Sequence, residues 1–528
     1  MGTFFNPGNG SFTQDKNSEI YIDKTELLKF LNKKLGTNGK CIAVSHARRF
    51  GKSHAAGMID AYYSLGSDSS KLFENTKIAS DPDYEKYRNK YNVIHLDISS
   101  VWDYHKEDLI ESIEERVCED FQKIYGDLLN YRRDFYLLIQ DIYSLTGIPF
   151  VIIIDEWDCV IRNSHDQALV HKYLQFLHSL FKSEESKSFL ALGYITGILP
   201  IKKIKDESAL NNFQEYTMLD SYPITEYYGF TEKEVKDLCK DYSMDFETVK
   251  AWYNGYLIDG EHMYNPNSVS QALERHKIDS YWRNTSAFDT INTFITMNYA
   301  GLKDDVMKML TGGKVRINTN TFQNDFSIIT SKDDALTALI HLGYLGYDAD
   351  RKKSFIPNYE VATAFELALQ TGSWKEIAES ISKCDELLDE TIDGNAERVA
   401  ELIELAHETY TSILKYNDEN VLSCVLTMAY FTAPAYYNVI REMPSGKGFA
   451  DFVFLPRANA GNRPAMIIEL KYNQSAETAL KQIKEKQYIQ SLKDYKGEVV
   501  IAGISYDASD NKNGQFKKHT CKIEKLTL

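Results

Sequence analysis

Cys41-Ile-Ala-Val-Ser45, His46-Ala-Arg-Arg-Phe50, Gly51-Lys52-Ser53 is the stretch that decides the fold. An apolar run leads into a short basic loop, and Gly-Lys-Ser then opens an amphipathic segment, so the order is strand, loop, helix. Such a loop holds phosphate by turning backbone N–H groups inward at a helix start, where the partial positive charge of the helix favours anions. Arg49, Phe50 and Gly51 would cradle the phosphates with their amides. Lys52 would reach the β- and γ-phosphates, and the Ser53 hydroxyl would ligate Mg²⁺. The first glycine of the GxxxxGK[ST] pattern is His46 here, so the turn at Ser45–Ala47 must suit a residue with a Cβ. Taken alone, Gly-Lys-Ser equally fits a surface loop that opens a helix.

About a hundred residues on, Phe150-Val-Ile-Ile-Ile154 runs into Asp155-Glu156. A fully apolar strand ending in two acids fits the edge of an α/β sheet where ligands bind. There Asp155 can hold Mg²⁺ through water, and Glu156 can orient or deprotonate an attacking water. A later strand, Phe189–Thr196, ends in a hydroxyl at the same edge, which makes Thr196 a candidate sensor of the γ-phosphate. The guanine signature NKxD fails at its fourth position in Asn89-Lys90-Tyr91-Asn92, so ATP fits better than GTP.

Working outward, the first 220 residues alternate short apolar runs with longer amphipathic ones, the pattern of α/β with a mostly parallel sheet. Expected strands are Cys41–Ser45, Asn92–Asp97, Phe150–Asp155, Phe189–Thr196 and Glu215–Leu219. Residues 221–281 have a polar helical pattern, read as a helical lid. Residues 282–372 combine short helices with a strand pair, Tyr344–Ala349 and Ser354–Pro357, across a charged turn; this reads as a winged-helix-like module. The remainder, 373–528, forms a further α/β domain. At 528 residues the chain is too long for one core.

Near its end, Gly446–Leu455 and Pro464–Lys471 read as two strands of a hairpin. Side chains alternate faces along a strand. Asp451 thus shares a face with Phe449 and Val453, and Glu469 shares one with Ile467 and Lys471. Two acids and a lysine can converge on one side of a hairpin whose other side is core. Asp451 and Glu469, with the Leu470 carbonyl, make a hard oxygen set for Mg²⁺ or Mn²⁺. Lys471 would hold a water or a phosphate. An exposed polar face with a cross-strand Lys–Glu pair would show the same pattern.

The chain carries a formal net charge of −16, which at first sight disfavours nucleic acid. Residues 373–440, however, hold 4 basic and 13 acidic side chains, whereas 441–528 hold 15 basic and 10 acidic. The last segment, with its basic helix Leu480–Tyr488, is the one suited to phosphate backbones. Seven scattered cysteines without a CxxC pair argue against a zinc site or a disulfide framework. No apolar run approaches membrane-spanning length and no signal peptide opens the chain, so a cytoplasmic location and no membrane partner are expected.

Together these residues resemble a bacterial and archaeal family that fuses an AAA-ATPase-like domain to a PD-(D/E)XK nuclease-like domain. The resemblance rests on Tyr21-Ile-Asp-Lys-Thr25, Arg48-Arg-Phe-Gly-Lys-Ser53, Val93–Asp97, Ile153-Ile-Asp-Glu156, Tyr228-Gly-Phe-Thr231 and Trp252-Tyr-Asn-Gly-Tyr256. It continues through Asp451, Ile468-Glu-Leu-Lys471, Gln482–Lys486 and Gly503-Ile-Ser505. It implies Asp451, Glu469 and Lys471 as the nuclease signature. It also implies a helical acid at Glu419 as a further metal ligand and a polar helix residue at Gln482. The family commonly has Arg-Pro where His46-Ala47 stands. The expected function is ATP binding and hydrolysis controlling a metal-dependent nuclease that acts on DNA or RNA. The other reading is a non-enzymatic ATP switch whose last domain only binds nucleic acid or protein. A homo-oligomer stays open, because no arginine finger is assignable.

Overall fold

The computed structural model describes residues 2–126, 135–164, 166–201, 210–282, 285–297, 299–310, 312–322, 329–371, 383–411, 419–445, 448–457, 460–492, 495–507 and 518–527. The chain forms two compact units. One comprises Met1–Leu238, Gly255–Glu274 and Arg316–Ser354; the other comprises Cys239–Asn254, Arg275–Val315 and Phe355–Leu528. The chain crosses between them five times, an interleaving invisible to a reading that cuts it into consecutive blocks at 220, 281 and 372.

The first unit is built on strands β1 (Cys41–Ser45), β2 (Asn92–Asp97), β3 (Phe150–Asp155), β4 (Leu190–Gly197) and β5 (Gln214–Thr217). They pair in parallel in the order β2-β3-β4-β1-β5. Both faces are covered, which is why these strands read as unbroken apolar runs. Ala43, Ile152 and Ile154 pack into one core, and Ile42, Val44, Val151 and Ile153 into another. The register sets Asp97 beside Asp155 and Val44 beside Thr196. The carboxyl ends of the strands therefore carry the polar side chains, at the edge where open parallel sheets bind ligands.

The stretch 221–281 is not purely helical. Between its helices lie β6 (Phe230–Thr231), β7 (Tyr256–Ile258) and β8 (Glu261–Tyr264), an antiparallel sheet in the order β6-β8-β7. Strands of two to four residues carry too little alternation to outweigh a helical pattern. A local signal was nonetheless present. Asp259-Gly260 turns the β7–β8 hairpin with φ of 51° and 83°, the left-handed pair that a two-residue hairpin requires and that Asp-Gly supplies.

The strand pair expected in residues 282–372 is present, with β10 (Gly346–Asp348) and β11 (Lys353–Phe355) joined by the charged turn. A short β9 (Val315–Arg316) completes the order β10-β11-β9.

The second unit holds the sheet β12 (Tyr437–Ser445), β13 (Gly448–Pro456), β14 (Ala465–Tyr472), β15 (Glu498–Asp507) and β16 (Lys518–Thr527), in sequential order. Only β14–β15 is parallel, and its crossover carries the helix Ala476–Glu485, as parallel neighbours demand. The outer strands β12 and β16 went unread, and both are rich in charged or polar residues. Among the described residues no helix is long and apolar enough to cross a membrane.

Candidate functional site

The phosphate loop leaves β1 and enters the helix Lys52–Tyr63 through Gly51, whose φ of 86° lies in the left-handed region. No side chain caps this helix start, so its first-turn amides are not occupied by a capping oxygen. Arg49 also has positive φ, whereas His46 does not. The missing glycine is replaced by a packed side chain. His46 is fully buried, sets Nε2 2.9 Å from the Ser221 hydroxyl and lies 5.1 Å from the Tyr228 ring. Burial pushes its pKa down to about 3, so the ring is neutral.

The rest of the loop is braced from the 228–265 segment. Gly229 N donates to Phe50 O at 3.0 Å, Asn265 Nδ2 donates to Arg48 O at 3.4 Å, and the buried Phe50 ring meets Tyr256 edge-on. These contacts give the Tyr228-Gly-Phe-Thr231 motif a task that spacing did not reveal.

Lys52 is buried and donates to the carbonyls of His46 and Ala47, each at 2.9 Å. Desolvation lowers its pKa, and the charges of Glu156, Asp155 and Asp158 oppose that shift. A cleft of about 800 Å³ opens here, bordered by Lys52, Ser53, Asp97, Asp155, Glu156 and Arg162. Asp155 accepts from the Thr196 hydroxyl and from Glu156 N. Thr196 is buried and spends its hydroxyl on Asp155, so the structure joins it to the acid rather than to the cleft wall.

Glu156 has a left-handed φ of 53° and an Oε2 that accepts from Arg162 Nη2 at 2.5 Å. Arg162 Nε also donates to the buried Asp158 at 2.8 Å. Burial raises the Glu156 pKa, and the charge of Lys52 partly offsets it. Sequence reasoning missed Arg162, Asp158 and Asp97. The i,i+4 spacing of Asp158 and Arg162 on a short helix was the available signal.

A second cavity, of about 370 Å³, shares Arg49, Gly51 and His54 with the cleft and reaches behind the loop to Asp15, Tyr21 and Phe230. That volume lies within the roughly 300–1,000 Å³ common for ligand pockets.

In the second unit, β13 and β14 pair through Phe452 and Ile468, and Asp451 and Glu469 follow just beyond that pair. Asp451 Oδ2 accepts from Leu470 N at 2.7 Å. Lys471 Nζ donates to Glu469 Oε1 and to Leu470 O, each at 2.9 Å. Gln482 Nε2 also donates to Glu469 Oε1, and to Tyr488 Oη at 3.1 Å. The expected acids, lysine and glutamine thus meet in one cluster. Glu419 opens the helix Glu419–Ala429, but its side chain lies outside the described residues.

One expectation is only partly met: the acid side of the hairpin is packed over much of its length, although Phe449 at its end stays exposed. Val453 and Ile467 pack with Leu480 and Ile483 of the helix Ala476–Glu485, while Phe454 meets Tyr430 and Tyr437. A sheet covered on both sides leaves its acids in a low-dielectric recess, and Glu469 is 2% exposed. Its pKa is raised to about 7, first by desolvation and then by the Asp451 charge. Its Oε2 has no hydrogen-bond partner among the described residues. An orphaned carboxylate oxygen beside a second acid fits a hard divalent cation. No group of three or more His, Cys, Asp or Glu that could hold a metal occurs among the described residues, so the Leu470 carbonyl is the further donor at hand.

The lysines of the basic helix are largely engaged with acids: Lys481 with Glu485 at 3.5 Å and Lys484 with Glu524 at 2.6 Å.

Residues 10–205 match the family described as "Predicted AAA-ATPase", and residues 417–515 match the PD-(D/E)XK nuclease superfamily. An uncharacterised protein encoded in the vnfD 5′ region of Azotobacter chroococcum mcd 1 is 24% identical over 274 residues, which span 50% of each chain. The match thus covers about half the length of that relative. AMPPCP-bound DnaA from Aquifex aeolicus resembles 77% of this chain and 92% of its own, at 10% identity and a TM-score of 0.29. The ORC1 protein of Aeropyrum pernix in complex with DNA covers 69% and 97%, at 13% identity and 0.27. Scores so low carry nothing about what this chain does. The two family matches agree with the two motif sets and with the two sheets that carry them, and the chain joins an AAA-ATPase-like domain to a domain of the PD-(D/E)XK nuclease superfamily.

Proposed function

We propose that this chain is an ATP-controlled, metal-dependent nuclease: the first unit binds and hydrolyses ATP, and the second cleaves phosphodiester bonds of DNA or RNA. The observation that carries the reading is the convergence of Asp451, Lys471 and Gln482, all half-buried, on the buried Glu469, one of whose oxygens is left without a partner among the described residues. Asp451 and Glu469 would hold Mg²⁺ or Mn²⁺ with the Leu470 carbonyl, and Glu419 is proposed as a further ligand. The ion, when bound, acidifies a water and neutralises charge on the phosphate. Lys471 would leave the Leu470 carbonyl to face the scissile phosphate or the attacking water, and Gln482 would fix the Glu469 carboxylate.

In the first unit, Lys52 would exchange the carbonyls of His46 and Ala47 for the β- and γ-phosphates, over amides from Arg49 to Ser53. Ser53 and Asp155 would hold the nucleotide's Mg²⁺, with Thr196 aligning Asp155. Glu156 would orient the attacking water once Arg162 releases it. The cavity beyond Gly51 and His54 would take the base.

A second reading is a switch without cleavage, favoured by one observation: Lys471 already occupies the carbonyl and a carboxylate oxygen that the metal would use. A nuclease assay on the full chain, with and without ATP in Mg²⁺ and Mn²⁺, separates the two. Cleavage by the wild type, lost in Asp451→Ala and altered in its ATP dependence in Glu156→Gln, supports the nuclease. An absence of cleavage in either metal with either nucleic acid, alongside intact ATP binding, leaves the switch.

A further inference from the structure

A phosphoryl group in transfer spreads negative charge over its oxygens, more than one lysine and one magnesium ion balance. The cleft bordered by Lys52 and Ser53 holds a further cation. Arg162 reaches it from the short helix Cys159–Asn163, which follows β3. Its guanidinium is held at two corners: Nε donates to Asp158 at 2.8 Å and Nη2 to Glu156 at 2.5 Å. The third corner, Nη1, makes no hydrogen bond among the described residues, and the side chain is 10% exposed on the cleft wall. Guanidinium donors form a rigid planar fork, so fixing Nε sets the direction of the others.

The two acids hold it unequally. Asp158 is fully buried, and the oxygen that accepts from Arg162 Nε also accepts from Ile198 N at 3.2 Å and Leu199 N at 2.9 Å. Those two residues directly follow β4, the neighbour of β3, so Asp158 ties the guanidinium to the sheet itself. Glu156 is the looser holder. Its side chain is 25% exposed, and burial raises its pKa against the opposing charges of Lys52 and Arg162. A phosphate oxygen arriving at Nη1 brings an anion of higher charge and competes with Glu156 for the same guanidinium.

We infer that Arg162 is a catalytic residue acting within its own chain: anchored by Asp158, it takes the γ-phosphate oxygens during transfer and thereby frees Glu156 for the attacking water. Water adds to the γ-phosphorus, and the bond to the β–γ bridging oxygen breaks with its electron pair staying on ADP. The water's proton passes to Glu156 and from there to solvent. The inference rests on the reading of Gly51-Lys52-Ser53 as the phosphate loop of an ATP-hydrolysing unit. It adds that no second copy of the chain has to bring the arginine, which phosphate-loop enzymes draw either from their own chain or from a partner.

The test measures phosphate release and Mg²⁺–ATP affinity on the full chain, for wild type, Arg162→Gln, Arg162→Lys and Lys52→Ala. Arg162→Gln should lower turnover by at least about 10³-fold, the lower end of what such an arginine contributes, and change ATP affinity by less than about tenfold. The amides of Ile198 and Leu199 still serve Asp158 in that variant, and retained ATP binding reports an intact fold. Arg162→Lys should rescue little, because one ammonium cannot hold Asp158 and reach the phosphate with a second nitrogen. ADP with aluminium fluoride, which imitates the phosphoryl group in transfer, should be trapped by the wild type and not by Arg162→Gln. A mixture of Arg162→Gln with Lys52→Ala should regain no turnover.

Turnover of Arg162→Gln equal to or above the wild type would overturn the inference and leave Arg162 a mere restraint on Glu156. Recovered turnover in the mixture would overturn its action within the chain. If Arg162→Gln failed to bind ATP, Arg162→Lys decides: turnover near wild type overturns the role of the guanidinium, and a loss of tenfold or more with ATP still bound supports it. A wild type that binds ATP without hydrolysing it would overturn the inference while the phosphate loop stands. If no nucleotide bound at all, both would fall together.

Discussion

Compared side by side, the acids at the end of β3 and those of the β13–β14 hairpin are balanced in different ways. Asp155 accepts from Thr196, and Glu156 holds Arg162, which also holds Asp158. Lys52 folds back onto the carbonyls of its own loop. That region is tied together by its own ion pairs, although Asp158 Oδ1 is left without a partner among the described residues, and a ligand would have to compete with those pairs. In the hairpin, Asp451 and Glu469 raise each other's cost in a recess, and one carboxylate oxygen has no partner. That region is under-compensated, and a cation would complete it. Acids tied to arginine and lysine resist change until a better partner arrives, whereas a buried acid whose pKa is raised beside a second acid invites a cation.

The largest effect expected from this contrast is on cleavage. Asp451→Ala or Glu469→Ala should each lower the nuclease rate by about 10³-fold or more, and the double variant should be no worse, because the groups act as a unit. Additive losses in rate assays would break the idea of one shared ion.

Next in size is nucleotide binding. Lys52→Ala should weaken Mg²⁺–ATP binding by at least about 100-fold, from lost charge-assisted bonds of up to about 3 kcal/mol. Undiminished affinity by calorimetry would show that Lys52 never leaves its loop carbonyls.

The two regions should also answer to pH in opposite senses. His46, ordinarily near 6.5, is pushed down to about 3 in the fold. Its contribution is present above pH 6.5 and is lost as pH falls toward 3. Glu469, ordinarily near 4.5, is raised to about 7. The folded protein then holds a proton that the unfolded chain releases, so this contribution is present below pH 4.5 and is lost as pH rises through 7. Integrated over these windows the effects are at most about 5 and 3 kcal/mol. Amide-exchange protection in metal-free protein should therefore fall around Lys52–Tyr63 on acidification and around β14 on alkalisation. His46→Asn should flatten the first response and Glu469→Gln the second; Mn²⁺ should restore protection at β14 near pH 7.5. Parallel responses in both regions would collapse the contrast.

The smallest effect belongs to Thr196→Val. Losing one donor to Asp155 should cost about 1 kcal/mol and shift the Mg²⁺ dependence of ATP binding less than tenfold. A loss as deep as that of Lys52→Ala would restore Thr196 as a direct phosphate contact.

Much of the frame was legible because burial leaves a mark on sequence. The bounds of β1, β2 and β3 follow from apolar runs that only a doubly covered parallel sheet requires. Asp451, Glu469 and Lys471 came together as their spacing and alternation implied. What stayed hidden depends on contacts distant in sequence. The support of the loop by Tyr228, Gly229 and Asn265, and the tie of Asp15 to His54, leave no periodic signal. The covered acid face of the hairpin was misread because the helix Ala476–Glu485 lies after both strands. β6 to β8 were too short to register, although Asp259-Gly260 announced a hairpin.

The five crossings of the chain between the two units also bear on how the protein is made. The first unit draws on residues as late as Ser354, so it cannot be finished when the last strand of its parallel sheet leaves the ribosome. At ordinary synthesis rates of about 5–20 residues per second, that sheet would wait several seconds for the segments that complete its unit. The waiting chain would present partly covered apolar surface to the cell's chaperones. A cut at any single position would leave at least one unit without pieces it needs, so the two units are bound together by the path of the chain itself.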